Sequence, residues 1–261
     1  MRFQSALLAG LAIILAGSAA AQTSTLPQLP KIGIEGEDNR IRTDPKEWPW
    51  SSIGRVNREI GGHCTGTLIA PDLVLTAAHC LYNKDDGRWT IPMEVHFVAG
   101  YDRGSFSAHA RGKAFYRDPD YNPKRATRVA EMSRDWAIIE LDQKLKLKPV
   151  PLSARAAQAL FDRKPPIPVD ALGYNGDWAE ILMRHKGCDL QGQLAERPLL
   201  LHRCDTTFGA SGGPLLSWQG DKPEIVGILS GVLTLKDKSE LGAAVPVWTV
   251  RPEALKLGSP R

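Results

Sequence analysis

From Trp48 onward the chain is written in short apolar runs broken by Gly, Pro, Asn and Asp. SSIGRVN, HCTGTLIA, LVLTAA, MEVHFVAG, SAHARGKAFY, WAIIEL, PVDALGY, EILMRH, PLLLHR, GPLLSW, EIVGILSGVL and AAVPVWTV are strand-length and rich in β-branched or apolar residues. Helices need longer periodic stretches, so this texture leaves little room for them. Many short strands at such spacing fold as an all-β sandwich or barrel. Helical pattern is confined to ARAAQALFDR (154–163), which reads as a connection between two β halves, and to PEALKL after Val250. With 261 residues there is ample material for a buried core.

The beginning of the chain is different. MRFQSALLAGLAIILAGSAAAQ carries one Arg, an apolar stretch from Ala6 to Ala16, and Ala19-Ala20-Ala21. That is the pattern of a signal peptide over 1–21, with cleavage expected before Gln22. About 20 apolar residues are needed to cross a bilayer, and this run is shorter, so no membrane span is expected. Residues 22–46 are polar and Pro/Gly-containing, an N-terminal arm without a core of its own, and 47–261 form the main domain. The expectation is a secreted or periplasmic monomer. The net charge of +4 is mild and the basic residues are scattered, which argues against a nucleic-acid partner.

Export changes the reading of the four cysteines. In an oxidising compartment they suggest two disulfides, although three connectivities are open. Local pairing, Cys64 with Cys80 and Cys188 with Cys204, is the simplest. The His63-Cys64 and His79-Cys80 pairs also raise metal binding. Adjacent residues on a strand point to opposite faces, however, so the spacing suits zinc poorly and no metal or cofactor is expected.

Three stretches carry groups for acyl transfer, which needs a nucleophile, a base, an orienting carboxylate and oxyanion donors. GASGGP (209–214) supplies the hydroxyl of Ser211. Its glycines permit backbone angles that aim the N–H groups of Gly209 and Ser211 at one point. LTAAHC (75–80) brings an apolar strand through small residues to His79. In RDWAIIEL (134–141), Asp135 opens another apolar strand. Taken singly, each has a bland alternative: a tight turn, a half-buried histidine, a solvated strand-start aspartate.

Taken together, in the order His, Asp, Ser, they resemble the chymotrypsin-like serine peptidases. HCTGTLIAPDLVLTAAHC (63–80) is similar to the family's approach to its catalytic histidine, and VGILSG (226–231) to its substrate-binding strand. GYNGD and the Cys-Asp-Thr lead into the serine are closest to the bacterial branch that includes glutamyl endopeptidases. The resemblance implies two antiparallel six-stranded β-barrels, about 47–150 and 165–250, with the site between them. It also implies a linking helix, a short C-terminal helix, and protein or peptide substrates. His79, Asp135 and Ser211 would be catalytic, and Gly209 and Ser211 the oxyanion donors. Asp205, Thr206, Ser230, Gly231 and Val232 would line the specificity pocket.

Specificity is where the sequence departs from the pattern. Asp205 stands where trypsin-like members carry the acid that recognises Arg or Lys. Similar Asp-Thr lead-ins occur in Glu-preferring relatives, but Leu229 replaces their pocket histidine and Val232 replaces a pocket glycine. Ala210 replaces the acidic residue that in animal relatives pairs with a newly cut N-terminus. An oxyanion hole assembled by folding alone is therefore expected. A nucleophile elbow of the α/β-hydrolase type does not fit, because His79 precedes Ser211 and strands do not alternate with helices. The remaining alternative is a catalytically silent binding relative.

Overall fold

The computed structural model of the chain describes residues 33–34, 36–155, 157–161, 167–194 and 197–259. The expected signal peptide lies outside these residues. The first half contributes β1 (Arg40–Arg42), β2 (Ile53–Arg58), β3 (His63–Ala70), β4 (Leu73–Thr76), β5 (Tyr82–Asn83), β6 (Arg88–Trp89), β7 (Val95–Ala99), β8 (Ala108–Arg117) and β9 (Ala137–Leu141). The second contributes β10 (Val169–Gly173), β11 (Met183–Cys188), β12 (Leu190–Gln193), β13 (Leu200–His202), β14 (Pro214–Gln219), β15 (Lys222–Thr234) and β16 (Glu240–Pro246). Helices are few: α1 (Val129–Met132) and α2 (Val247–Lys256), besides single 3-10 turns.

Strands β2-β3-β4-β9-β8-β7 close into a six-stranded antiparallel barrel. The second half is an eight-stranded antiparallel sheet in the order β1-β11-β10-β14-β15-β16-β13-β12. In place of the second six-stranded barrel expected, the second half supplies seven strands, β10 to β16, and β1 from the N-terminal arm adds an eighth along β11 (Ile41 opposite Arg184). An unpaired edge is a liability, and here the arm covers it.

Burial explains why LVLT and AIIEL are apolar on both faces. Val74 and Ile139 point into the interior of the first barrel with Phe97 and Leu68. Their neighbours Leu73, Leu75 and Ile138 point the other way, into a core shared with Leu172, Leu216, Ile228 and Val245 of the second sheet. Because successive side chains alternate, a strand sandwiched between two cores loses its polar face. Val226, Leu229, Leu200 and Leu215 fill the second interior.

Two expectations need correction. AAVPVWTV does not continue as a strand: Pro246, with extended backbone, caps α2, which begins at Val247, five residues before the expected PEALKL helix at Pro252. Pro is well tolerated at a helix boundary, and Val247 and Val250 bury one helix face against the shared core. Within the expected linking helix the described residues form a 3-10 turn at Ala157–Leu160, and residues 156 and 162–166 lie outside those described.

Two disulfides form, Cys64–Cys80 and Cys188–Cys204, each spanning 16 residues. Each contributes on the order of 3 kcal/mol in the chain-entropy model.

His202 on β13 is 1% exposed, and its Nδ1 accepts the Cys204 N–H at 3.2 Å. Burial, helped by the nearby charge of His185, pushes its pKa down to about 4. In the unfolded chain the value returns to about 6.5, so only the unfolded state takes up this proton between those limits. His202 therefore withholds no stability above about pH 6.5 and costs roughly 3 kcal/mol as the pH falls to 4. Urea unfolding near pH 7.5 and pH 4.5 checks this. His202→Asn, which keeps an acceptor for Cys204, should lose less stability than the unaltered protein across that interval. Equal losses would refute the assignment.

Candidate active site

Strand pairing brings His79 and Asp135 together. Strands β4 and β9 run antiparallel with Thr76 opposite Ala137, so the end of one lies beside the start of the other. His79 sits just past Thr76, in a 3-10 turn (Ala78–Leu81), and Asp135 sits just before Ala137. The Asp135 carboxylate is buried, its side chain 2% exposed. Its Oδ2 accepts from His79 Nδ1 at 2.6 Å and from Ser230 Oγ at 2.6 Å, while Oδ1 accepts the His79 backbone N–H at 2.9 Å.

Burial alone would raise the pKa of Asp135. The attraction of His79 and these three hydrogen bonds outweigh it and hold the carboxyl below the usual range. Conversely, burial and the charge of Asp135 push the phenol of Tyr121 upward. A buried, ionised acid that holds Nδ1–H leaves Nε2 of the ring as the basic nitrogen.

Ser211 arrives from the second sheet. It lies in the turn before β14, and its carbonyl accepts the Thr65 N–H of β3 at 2.9 Å, which ties this turn to the first barrel. Gly212 N–H donates to Leu229 O at 2.7 Å and Leu229 N–H to Gly213 O at 2.9 Å, fixing the other side of the turn on β15. Ser211, His79, Asp135 and Ser230 line one cleft of about 620 Å³. Among the described residues no hydrogen bond joins Ser211 Oγ to His79 Nε2, which lies 3.8 Å from Cys80 Sγ. Nucleophile–base bonds of unliganded sites are commonly long and tighten on substrate binding.

Gly209 has φ +91, and a Cβ there would meet Tyr174 O at 2.5 Å and His63 Nε2 at 2.6 Å, so only glycine fits. Among the described residues, neither Gly209 N–H nor Ser211 N–H donates to another protein group. Two backbone donors beside a serine hydroxyl, in a partly closed cleft, suit an anionic oxygen.

The expected specificity residues separate into two places. Thr206, Ser230, Gly231 and Val232 line the cleft, but the Ser230 hydroxyl is committed to Asp135. Asp205 lines a neighbouring cavity of about 230 Å³ with Gly33, Thr206, Val232, Lys238 and Glu240. Its Oδ2 accepts from Asn39 N–H at 2.9 Å and Asn39 Nδ2 at 3.0 Å. His185 Nδ1 lies 3.1 Å from the same oxygen but already accepts the Asp205 N–H at 2.8 Å, so it donates no further bond there.

His63, Thr65, Asn175 and Asp177 also touch the site, and none was assigned a role from sequence. His63 Nε2 donates to Tyr174 O at 2.9 Å, and burial lowers its pKa, keeping it neutral. Its adjacency to Cys64 and the GYNGD stretch were the available signals.

A model of the trypsin-like peptidase domain matches residues 64–228. Among curated proteins, the chain is 40% identical over 101 residues to CLIP domain-containing serine protease HP8 of Bombyx mori, covering 33% of this chain and 27% of that protein. It is 28% identical over 221 residues to Serine protease 23 of Rattus norvegicus, covering 76% of this chain and 56% of the other. The chain thus spans about half or less of these relatives' lengths. Among solved structures, a Glu endopeptidase in complex with MPD aligns with TM-score 0.67 at 20% identity, covering 88% of this chain and all of that one. The Vibrio cholerae VesB protease aligns with TM-score 0.63 at 22% identity, covering 84% and 66%.

Proposed function

Because the chain belongs to the family of trypsin-like peptidase domains, we propose that it is a secreted serine endopeptidase working through Ser211, His79 and Asp135. The observation that carries this reading is the 2.6 Å bond between buried Asp135 and His79 in the cleft that also holds Ser211. In the mechanism, Ser211 Oγ attacks the scissile carbonyl carbon as His79 Nε2 takes its proton. The oxyanion forms against Gly209 N–H and Ser211 N–H. His79 then protonates the leaving amine, and water hydrolyses the acyl-enzyme by the same steps.

Cleavage after Arg or Lys is supported by the carboxylates of Asp205 and Glu240, which line the cavity adjoining the cleft at Thr206 and Val232. A Glu preference is the second reading. It is favoured by Lys238 in the same cavity and by the commitment of Asp205 Oδ2 to Asn39.

Labelling with a fluorophosphonate, followed by peptide mapping, tests the activity: the adduct is expected on Ser211 of the native protein and not of the unfolded one. A native protein that stays unlabelled would leave a silent binding relative. A peptide-library cleavage profile of the unaltered protein and of Asp205→Ser separates the two specificities. An Arg/Lys preference that Asp205→Ser abolishes supports the first; a Glu preference in both proteins supports the second.

A further inference from the structure

The turn that presents Gly209 and Ser211 is held without a charged side chain next to the serine. Ala210 is 2% exposed and packs on Gly173 so closely that a Cβ on Gly173 would lie 2.5 Å from the Cβ of Ala210. The hydrogen bonds that orient the turn come from elsewhere. The Phe208 carbonyl accepts from Gly176 N–H. In a trans peptide the C=O and N–H point in opposite directions, so this bond turns the Gly209 N–H away from Gly176 and toward the cleft. Downstream, the Gly209 carbonyl accepts from Thr65 Oγ1 at 2.9 Å, and that hydroxyl accepts the Tyr174 N–H at 2.9 Å. Upstream, Thr207 donates twice: its N–H to Asn175 Oδ1 at 2.7 Å and its hydroxyl to Asp177 Oδ1 at 2.9 Å.

Asp177 is itself gripped by an arginine of the N-terminal arm. Arg40 Nη1 and Nη2 reach Asp177 Oδ1 and Oδ2 at 2.9 and 2.6 Å, a two-pronged contact. Asp38 holds the other edge of the guanidinium, accepting from Nε at 2.8 Å and Nη2 at 2.6 Å. The Arg40 side chain is 1% exposed, and although burial disfavours its charge, the two carboxylates more than compensate. A desolvated, bidentate arginine is a rigid anchor, unlike a lysine or a chain terminus.

We infer that Arg40 and Asp177 are positioning residues for the oxyanion hole: they fix Thr207, and through it the peptide between Phe208 and Gly209. An internal cation of the arm then does the orienting that Ala210 cannot do with a charge. This rests on the reading of Gly209 and Ser211 as oxyanion donors.

The test compares Asp177→Asn, Thr207→Val, Thr207→Ser, Arg40→Lys and the Asp177→Asn/Thr207→Val double variant. Readouts are kcat and KM on the best peptide from the cleavage profile, and the Ki of a peptidyl trifluoromethyl ketone, which forms an oxyanion, against that of the product peptide. Circular dichroism melts establish that each variant is folded at the assay temperature. Loss of one oxyanion donor costs about 10²–10³-fold, and misaiming one costs less. Asp177→Asn and Thr207→Val are therefore expected to lower kcat and weaken the ketone by about 10- to 100-fold. KM and product-peptide binding should stay within about threefold. Thr207→Ser restores kcat, Arg40→Lys falls between, and the double variant loses no more than the worse single. Unchanged kcat in the folded single variants, or a loss confined to KM, overturns the inference while the peptidase reading stands. An unaltered protein that neither turns over nor is labelled overturns both.

Discussion

Ser211→Ala is expected to fold as the unaltered protein does and to lose about 10⁶-fold in kcat. The side chain is partly exposed in the cleft, and the hydrogen bonds that tie residues 211–213 to β3 and β15 are made by backbone: the Ser211 carbonyl to Thr65 N–H, Gly212 N–H to Leu229 O, and Leu229 N–H to Gly213 O. Removing Oγ thus deletes the nucleophile and leaves these bonds in place. The oxyanion donors and substrate contacts that remain account for residual catalysis of about 10³–10⁴ over water. Steady-state hydrolysis beside a thermal melt measures both halves of the expectation. A variant that keeps more than about a hundredth of the activity would remove Ser211 from the chemistry.

Asp135→Asn should cost about 10⁴-fold in kcat at neutral pH with little change in fold, and the reason lies in which oxygen does what. Oδ1 is pinned by the His79 backbone N–H at 2.9 Å, so it must remain an acceptor. The amide nitrogen then takes the place of Oδ2, where it faces His79 Nδ1 and Ser230 Oγ. An NH₂ group donates, so His79 must turn Nδ1 into the acceptor and carry its proton on Nε2. With Nε2 protonated the ring cannot accept the proton of Ser211. Raising the pH should recover activity in this variant as hydroxide takes over the role of base. A drop of only a few fold would place the orienting group elsewhere.

The architecture was legible in sequence because the punctuation of a β protein is local. Gly, Pro, Asn and Asp mark turns by their own backbone preferences, and the strands they bound appear near the expected positions. The misreadings arose where a local pattern was outvoted. VWTV is as apolar and β-branched as a strand, yet it forms the first turn of α2 because Val247 and Val250 find the shared core from a helix. RIR in the arm has no strand signature worth the name, and it is a strand because β11 offers an unpaired edge.

The site divides in the same way. Ser211, His79 and Asp135 stood out because each sits in a tight motif, and strand register alone brings His79 to Asp135. The residues that hold the 207–211 turn did not stand out. Asp177 and Thr207 are 30 positions apart, and Arg40 is 137 positions from Asp177. Nothing in an Arg, a Thr or an Asp on a loop marks it as part of a relay. Asp205 shows the reverse case, where a position with a strong family meaning has its carboxylate taken by Asn39 and its N–H by His185.

What the sequence by itself determined is therefore the run of short strands and turns, and the three side chains, Ser211, His79 and Asp135, for which we propose catalysis. These follow from chemistry contained within a few residues. What only the tertiary structure decided is which donors and acceptors are already taken: the Ser230 hydroxyl donates to Asp135, Asp205 Oδ2 accepts from Asn39 and the Phe208 carbonyl from Gly176, while among the described residues the Gly209 and Ser211 N–H groups find no protein acceptor. Hydrogen bonds are short-ranged and directional, so who pairs with whom is settled when distant segments meet and not before.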